Sequence, residues 1–420
     1  MSVRVTILPS GLRVVSDATP HLKTAAICVF VGAGSRHESI GEHGLSHLLE
    51  HMAFKGTRRR SARDIAEAIE DVGGDLNAET GVERTVYFAR VMGNDAGLAL
   101  DVIGDILTDS QFDQTELDRE KNVIVQEIGA LEDTPDDHVL DLLTAGAWPD
   151  QAIGRPVLGT REGVRAFDRE AIDRYLRRQY CARAIVVASA GAVDHEEIVS
   201  LAASLLEGLS RGPTPPEIPA TYRGGQRKLR KRLEQTHVAI GFEGRPSAAP
   251  DHDAALIFAA ATGGGMSSRL FQEVRERRGL AYSIHAFHWD HTDTGLMGFY
   301  ASADDKDAGE VVAVAIDCLA QAAHGLDDTE IRRAKAQMRV SLLAALESPG
   351  ARAQQLGRQI QIYGRPLSLD EMLARIDTVS VEDVHKTGAD MLRSPPTVAA
   401  IGAVGKVPGQ SRVAEALRGV

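Results

Sequence analysis

The sequence predicts an α+β fold of two homologous mixed α/β domains, each a mainly antiparallel sheet packed with helices. Three observations predict it. Strand patterns come in pairs about turns and alternate with amphipathic helical stretches, which suits hairpins better than a doubly wound parallel sheet. The order of elements in the first half recurs in the second. Each half has a helix leading into a similar peptide, IVVASAGAV closing at Gly191-Ala192-Val193 and TVAAIGAV closing at Gly402-Ala403-Val404. Between the halves, SRGPTPPEIPATY (210–222) holds four prolines and little apolar periodicity, as a linker does. The expected domains are 1–209 and 223–420, joined by 210–222.

Taken in order, residues 3–8 and 12–16 alternate around Pro9-Ser10-Gly11, a hairpin signal. The apolar run TAAICVFVGAG (24–34) reads as a buried strand and 44–55 as a helix. Ser61 is a natural N-cap for SARDIAEAIEDV, which Gly73-Gly74 ends. Two strands fill 75–92 about a turn near Gly81. Helices follow at 94–109 and 113–133, the latter continuing after a break through HVLDLLTAGAW. A helix at 168–178, a strand at 183–191 and a helix from Asp194 to Leu209 close the first half. In the second half LRKRLEQTHVAIGFEG supplies strands, DHDAALIFAAATGGG and RLFQEVRERRG helices, and AYSIHAFHWDHTDTGLMGFYASAD a hairpin. Long helices follow at 305–323 and 326–347.

Composition narrows the function. A hydrophobic content of 43% is enough for two cores, and a net charge of −12 argues against a nucleic-acid binder, which would show a basic face. Cys28, Cys181 and Cys318 are far apart and form no C-x-x-C pair, so neither a disulfide framework nor a cysteine zinc site follows. The N-terminus has no uninterrupted apolar segment and no run of 18 apolar residues exists, so the expectation is a cytoplasmic protein with no membrane span.

The chemistry centres on HGLSHLLEHMAFKGT (43–57), where His47, Glu50 and His51 form H-x-x-E-H. On a helix, His47 and His51 stand at i and i+4 on one face and can grip one divalent ion. Glu50 lies beside them, placed to take a proton from an activated water. Zinc hydrolases usually need a third protein ligand. The stretch 113–133 offers Glu116, Glu120 and Glu127, all on one helical face, with Glu120 and Glu127 about 40° and 20° from Glu116. Such a stripe is most often a solvated face, and spacing does not choose among the three.

HGLSHLLEHMAFKGT, DLNAETGVERTVYFARV and REKNVIVQEI together resemble the pitrilysin family of zinc peptidases, nearest the β subunit of mitochondrial processing peptidase and its single-chain bacterial relatives. The likeness spans both halves. It implies a processing-peptidase-like fold and one zinc ion per chain, with Glu127 as third ligand and Glu120 supporting the site from behind. It also implies that the strand bearing Asn77 and Ala78 binds the substrate backbone as an added strand, although spacing alone makes Asn77 a turn residue. In SSRLFQEVRERRGLAYSI (267–284), Arg275 and Tyr282 match a family pair from the inactive half that reaches substrate. Without the resemblance they read as a helix arginine and a strand tyrosine.

The other features have plainer readings. Gly263-Gly264-Gly265 lack the lysine of a phosphate loop and read as a turn. His285 and His288 are three apart and would point to opposite faces of a strand, so these two and His291 read as structural or surface residues, as does His237. The sequence therefore points to a zinc endopeptidase acting on peptides or unfolded targeting segments. The resemblance implies a homodimer, or a heterodimer with a related subunit, while charge and hydropathy point to no nucleic-acid or membrane partner. Two alternatives stand beside this: a non-catalytic scaffold or partner subunit, and a zinc hydrolase of a small molecule.

Overall fold

The structure, a computed structural model, describes residues 3–214 and 218–420. Positions 215–217 of the expected linker lie outside the described residues. In the first half the elements run β1 (Val3–Ile7), β2 (Arg13–Ala18), β3 (Thr24–Val31), α1 (Leu45–Ala53), α2 (Ala62–Glu70), β4 (Asp75–Thr80), β5 (Thr85–Met92), α3 (Ala96–Asp109), α4 (Gln114–Glu132), α5 (Pro135–Ala147), α6 (Arg161–Ala166), α7 (Arg169–Gln179), β6 (Ile185–Gly191) and α8 (His195–Leu205). The second half continues with β7 (Gly225–Arg230), β8 (Thr236–Glu243), α9 (His252–Gly263), β9 (Ala281–Asp290), β10 (Gly295–Ala303), α10 (Ala308–Gly325), α11 (Asp328–Leu346), α12 (Pro349–Tyr363), α13 (Leu369–Thr378), α14 (Val381–Leu392), β11 (Thr397–Gly402) and α15 (Gln410–Ala416).

The expected elements form where local chemistry is strongest. Ser61 caps α2, accepting from the Asp64 backbone N–H while Asp64 reaches back to the Ser61 N–H, a reciprocal box. Pro135 stands at the start of α5 and explains the break after α4: it cannot continue a helix but suits a first turn. One expected helix differs in kind. Phe271–Arg277 is a π-helix, whose wider turns loosen the regular i→i+4 spacing.

The chain forms two compact units. Unit 1 is Met1–Gly129, Arg155–Ile218 and Leu343–Leu367; unit 2 is Ala130–Gly154, Pro219–Leu342 and Ser368–Val420. In unit 1 a six-stranded sheet runs β1-β2-β6-β3-β5-β4, antiparallel except where β2 meets β6. In unit 2 a five-stranded sheet runs β7-β11-β8-β10-β9, antiparallel except where β7 meets β11. Strands β2-β6-β3-β5-β4 and β7-β11-β8-β10-β9 share one order and one pattern of direction, so the duplication read from the repeated peptides is real. Both sheets are mixed and packed with helices, as expected.

The contiguous boundaries 1–209 and 223–420 are corrected by this division. Helix α5 belongs to unit 2, where it packs on β7, β8 and β11; helix α12 belongs to unit 1, where it packs on β2, β3 and β6. Each sheet is thus covered on one face by a helix from the other half of the sequence. Close approach makes the seat specific. A Cβ at Gly357 of α12 would fall 2.0 Å from the Phe30 ring, so only glycine fits there. Arg352 of α12 also meets Asp17 of β2 at 2.7 Å, with both side chains buried. An apolar stripe shows that a helix is buried but not which sheet buries it, which is why the exchange is invisible in the sequence.

Candidate metal centre

Helix α1 is short, and its apolar residues explain its placement. Leu45, Leu48, Leu49 and Met52 recur at helical spacing and are all buried in the unit 1 core. That stripe fixes the rotation of the helix and so the direction of His47, Glu50 and His51. The N-cap, Gly44, is left-handed at φ 97° and offers no side chain to its helix. A Cβ there would meet Gly159 Cα at 2.8 Å. The cap comes instead from Glu38, whose carboxylate accepts the backbone N–H of Gly44 (2.9 Å) and of Ser46 (2.7 Å). A negative group at a helix N-terminus also complements the helix dipole. Sequence reading missed Glu38, because it lies six residues ahead of the N-cap it serves.

Glu38 is 3% exposed, and burial pushes its carboxyl from the ordinary 4.5 up to about 7, against the pull of the two N–H bonds. Glu38→Ala, which removes both acceptors, should lower stability by about 1–3 kcal/mol. The sign of the pH dependence follows from the raised value. The folded chain holds this proton more tightly than the unfolded one, so wild-type stability at this site is greatest below about pH 4.5 and falls as pH rises to about 7. The wild-type advantage over Glu38→Ala should therefore narrow across that interval in urea unfolding.

Three candidate ligands converge. His47 Nε2 lies 3.8 Å from Glu127 Oε1, and His51 Nε2 lies 3.6 Å from Glu127 Oε2. The ligand atoms of all three lie within 4.8 Å of one another. Three donors around a tetrahedral zinc stand about 3.3 Å apart, so the cluster is near that size. Burial and the neighbouring His51 hold the His47 pKa down at about 3, which keeps it neutral and able to donate a lone pair. Glu120, behind the cluster, gives Oε2 to His51 Nδ1 at 3.0 Å and Oε1 to Lys55 Nζ at 2.8 Å. The glutamate stripe is thus resolved by packing: Glu127 and Glu120 turn to the histidines, whereas Glu116 pairs with Arg119.

Glu50 completes the arrangement. Its Oε2 is buried with no hydrogen-bond partner, and so is the hydroxyl of neighbouring Thr80. Burial raises the Glu50 pKa, with the His51 imidazole opposing. An unsatisfied buried carboxylate beside two imidazoles and a third carboxylate suits a site built around a cation and water. The residues present therefore fit a zinc ion.

The other expected residues fall as follows. Asn77 and Ala78 lie on β4, which pairs only with β5 among the described residues and so forms a sheet edge. Asn77 Oδ1 accepts the Ala78 N–H at 2.8 Å, a local bond. In unit 2, Arg275 stands on the π-helix and donates from Nη1 to the Tyr282 carbonyl at 2.9 Å, with its guanidinium 4.3 Å from the centre of the Tyr282 ring. Tyr282 is 75% exposed, free to meet another molecule. His237 bonds the Tyr300 hydroxyl at 2.8 Å and is structural.

A second group in unit 2, His252, His288 and Asp290, also has metal-sized spacing. His288 Nε2, however, accepts the Arg245 backbone N–H at 2.9 Å. Its proton must then sit on Nδ1, leaving no lone pair for an ion. This group is a part-buried polar cluster, in line with the structural reading of His288.

Comparison with known proteins agrees with this architecture. The profile of the insulinase family (peptidase family M16) matches residues 13–161, and that of the peptidase M16 inactive domain matches residues 166–338. An uncharacterized zinc protease of Streptomyces coelicolor is 40% identical over 96% of this chain and 90% of its own. A probable mitochondrial-processing peptidase subunit beta of Arabidopsis thaliana is 36% identical over 97% and 80%. Among solved structures, a peptidase M16 inactive domain from Pseudomonas fluorescens superposes with a TM-score of 0.89 at 20% identity, covering 96% of this chain and 98% of that one. A chain of complex III2 from Candida albicans does so at 0.87 and 22%, covering 99% and 100%. At these identities the two structures speak to fold alone, whereas the sequence matches run through both halves. The chain belongs to the insulinase family of zinc metallopeptidases, peptidase family M16.

Proposed function

We propose that this chain is a zinc-dependent endopeptidase that hydrolyses peptides or unfolded segments with Glu50 as general base. The observation that carries this is the convergence of His47, His51 and Glu127 beside a buried Glu50 oxygen that has no hydrogen bond. When bound, zinc supplies a Lewis acid that acidifies water and polarises a carbonyl. His47 Nε2, His51 Nε2 and the Glu127 carboxylate would hold it, and Glu120 fixes His51 from behind. Glu50 Oε2 takes the proton of the attacking water and passes it to the departing amine nitrogen. The β4 edge offers alternating N–H and C=O groups to an extended peptide, which favours peptides over small molecules and gives affinity with little sequence preference. A fluorogenic peptide-library assay on the zinc-loaded chain tests the reading; zinc bound with no peptide cleaved would overturn it.

By the family resemblance, Arg275 holds a substrate carbonyl and the Tyr282 hydroxyl donates to the developing oxyanion. The same resemblance supports a homodimer in which each chain lends this pair to its partner's zinc residues. Arg275→Ala should then cut cleavage by about 10–100-fold. Mixed with an inactive Glu50→Gln chain, it should recover about a quarter of wild-type activity, because half of randomly assorted dimers carry one whole site. No recovery on mixing would argue that each chain works alone or needs a different subunit.

A further inference from the structure

The two imidazoles of the zinc site are not held equally. His47 Nδ1 is buried with no hydrogen bond, whereas His51 Nδ1 meets Glu120 Oε2 at 3.0 Å. With Nδ1–H given to Glu120, the free lone pair of His51 is on Nε2, the atom that faces Glu127. The quality of the site therefore depends on where Glu120 stands. The Glu120 side chain is 8% exposed, and a buried carboxylate needs a charged partner to stay in place. His51 offers only one N–H. The counter-charge comes from Lys55, whose Nζ lies 2.8 Å from the other oxygen, Oε1.

The turn that carries Lys55 is fastened on both sides. Its own N–H donates to the Met52 carbonyl, one residue before the end of α1. Beyond it, Thr57 Oγ1 donates to Asp105 of α3 at 2.7 Å, and Arg60 reaches the same carboxylate at 2.8 Å. A lysine on a loose surface turn would be a screened and weak ion-pair partner. This one is anchored, 30% exposed, and bonded to a carboxylate that is almost wholly buried.

We propose that Lys55 is a positioning residue of the metal centre: it pins the Glu120 carboxylate, which in turn sets the His51 ring to present Nε2 to zinc. Lys55 is not among the three converging ligands, and its Nζ is bonded to Glu120. The proposal rests on the zinc-site reading, and its test separates the two. Zinc-free protein is titrated with zinc against a chromophoric chelator. Lys55→Met, which keeps the stem and removes the charge, should weaken zinc binding by about 10–100-fold, the usual scale for a partner standing behind a ligand. Lys55→Arg, which keeps the charge, should restore most of that affinity. In a Glu120→Gln background, Lys55→Met should add nothing, because the group through which it acts is gone. Thermal unfolding of the zinc-free variants checks that each folds, and Lys55→Gln serves if the methionine variant does not. Wild-type zinc affinity in Lys55→Met, or an equal loss in the Glu120→Gln background, overturns the proposal. If His51→Ala binds zinc as well as wild type, the zinc-site reading falls and the proposal with it.

Discussion

Glu50→Gln is expected to bind zinc as tightly as wild type and to cleave peptides at least about 10²-fold more slowly, the usual scale for losing a general base. The two halves of that outcome come from different observations. Zinc is retained because the three converging ligand atoms belong to His47, His51 and Glu127, and Glu50 is not among them. The rate falls because the amide cannot take a proton, although it fills the same space. The substitution is also gentle on the fold. Glu50 Oε2 has no hydrogen bond to lose, and burial already costs its charged form, so stability should hold or rise. Zinc content by atomic absorption and initial rates on a fluorogenic peptide measure both halves. Unchanged cleavage would remove Glu50 from the chemistry, and loss of zinc would make it a ligand.

The second large effect is expected at Glu127. Glu127→Ala should lower zinc affinity by more than the 10–100-fold typical of a residue behind the ligands, and should abolish cleavage at micromolar zinc. Its carboxylate is the only one whose oxygens stand within 4 Å of Nε2 of both motif histidines among the described residues. Glu116→Ala is the matched control. It stands on the same helix and pairs with Arg119, so it should leave zinc affinity and rate unchanged. Equal losses at Glu116 and Glu127, or none at either, would mean that the helix face does not serve the ion as its geometry indicates.

Much of this molecule was legible beforehand, for identifiable reasons. The β1–β2 hairpin, the capped helix α2 and the β4–β5 hairpin follow from turn residues, an N-cap and two-residue alternation, all interactions between near neighbours in the chain. His47, Glu50 and His51 could be read as a constellation because a helix fixes the relation of residues four apart. Beyond such local rules, spacing failed. The stripe on α4 left three glutamates equivalent, and the family likeness, not periodicity, selected Glu127 and Glu120. The π-helical turns at Phe271–Arg277 had no local signal either.

What the sequence by itself determined was the pair of repeated α/β domains, the H-x-x-E-H helix and the insulinase-family relationship, since each is written in residues close together or in peptides quoted whole. Only the tertiary structure decided that Glu38 caps α1 from six residues away and that Lys55 grips Glu120. It also exchanged α5 and α12 between the two sheets. The physical reason is the same in each case. These contacts join residues far apart along the chain or outside any regular repeat. They are selected by which apolar faces bury together, and binary patterning records that a face is buried without recording its partner.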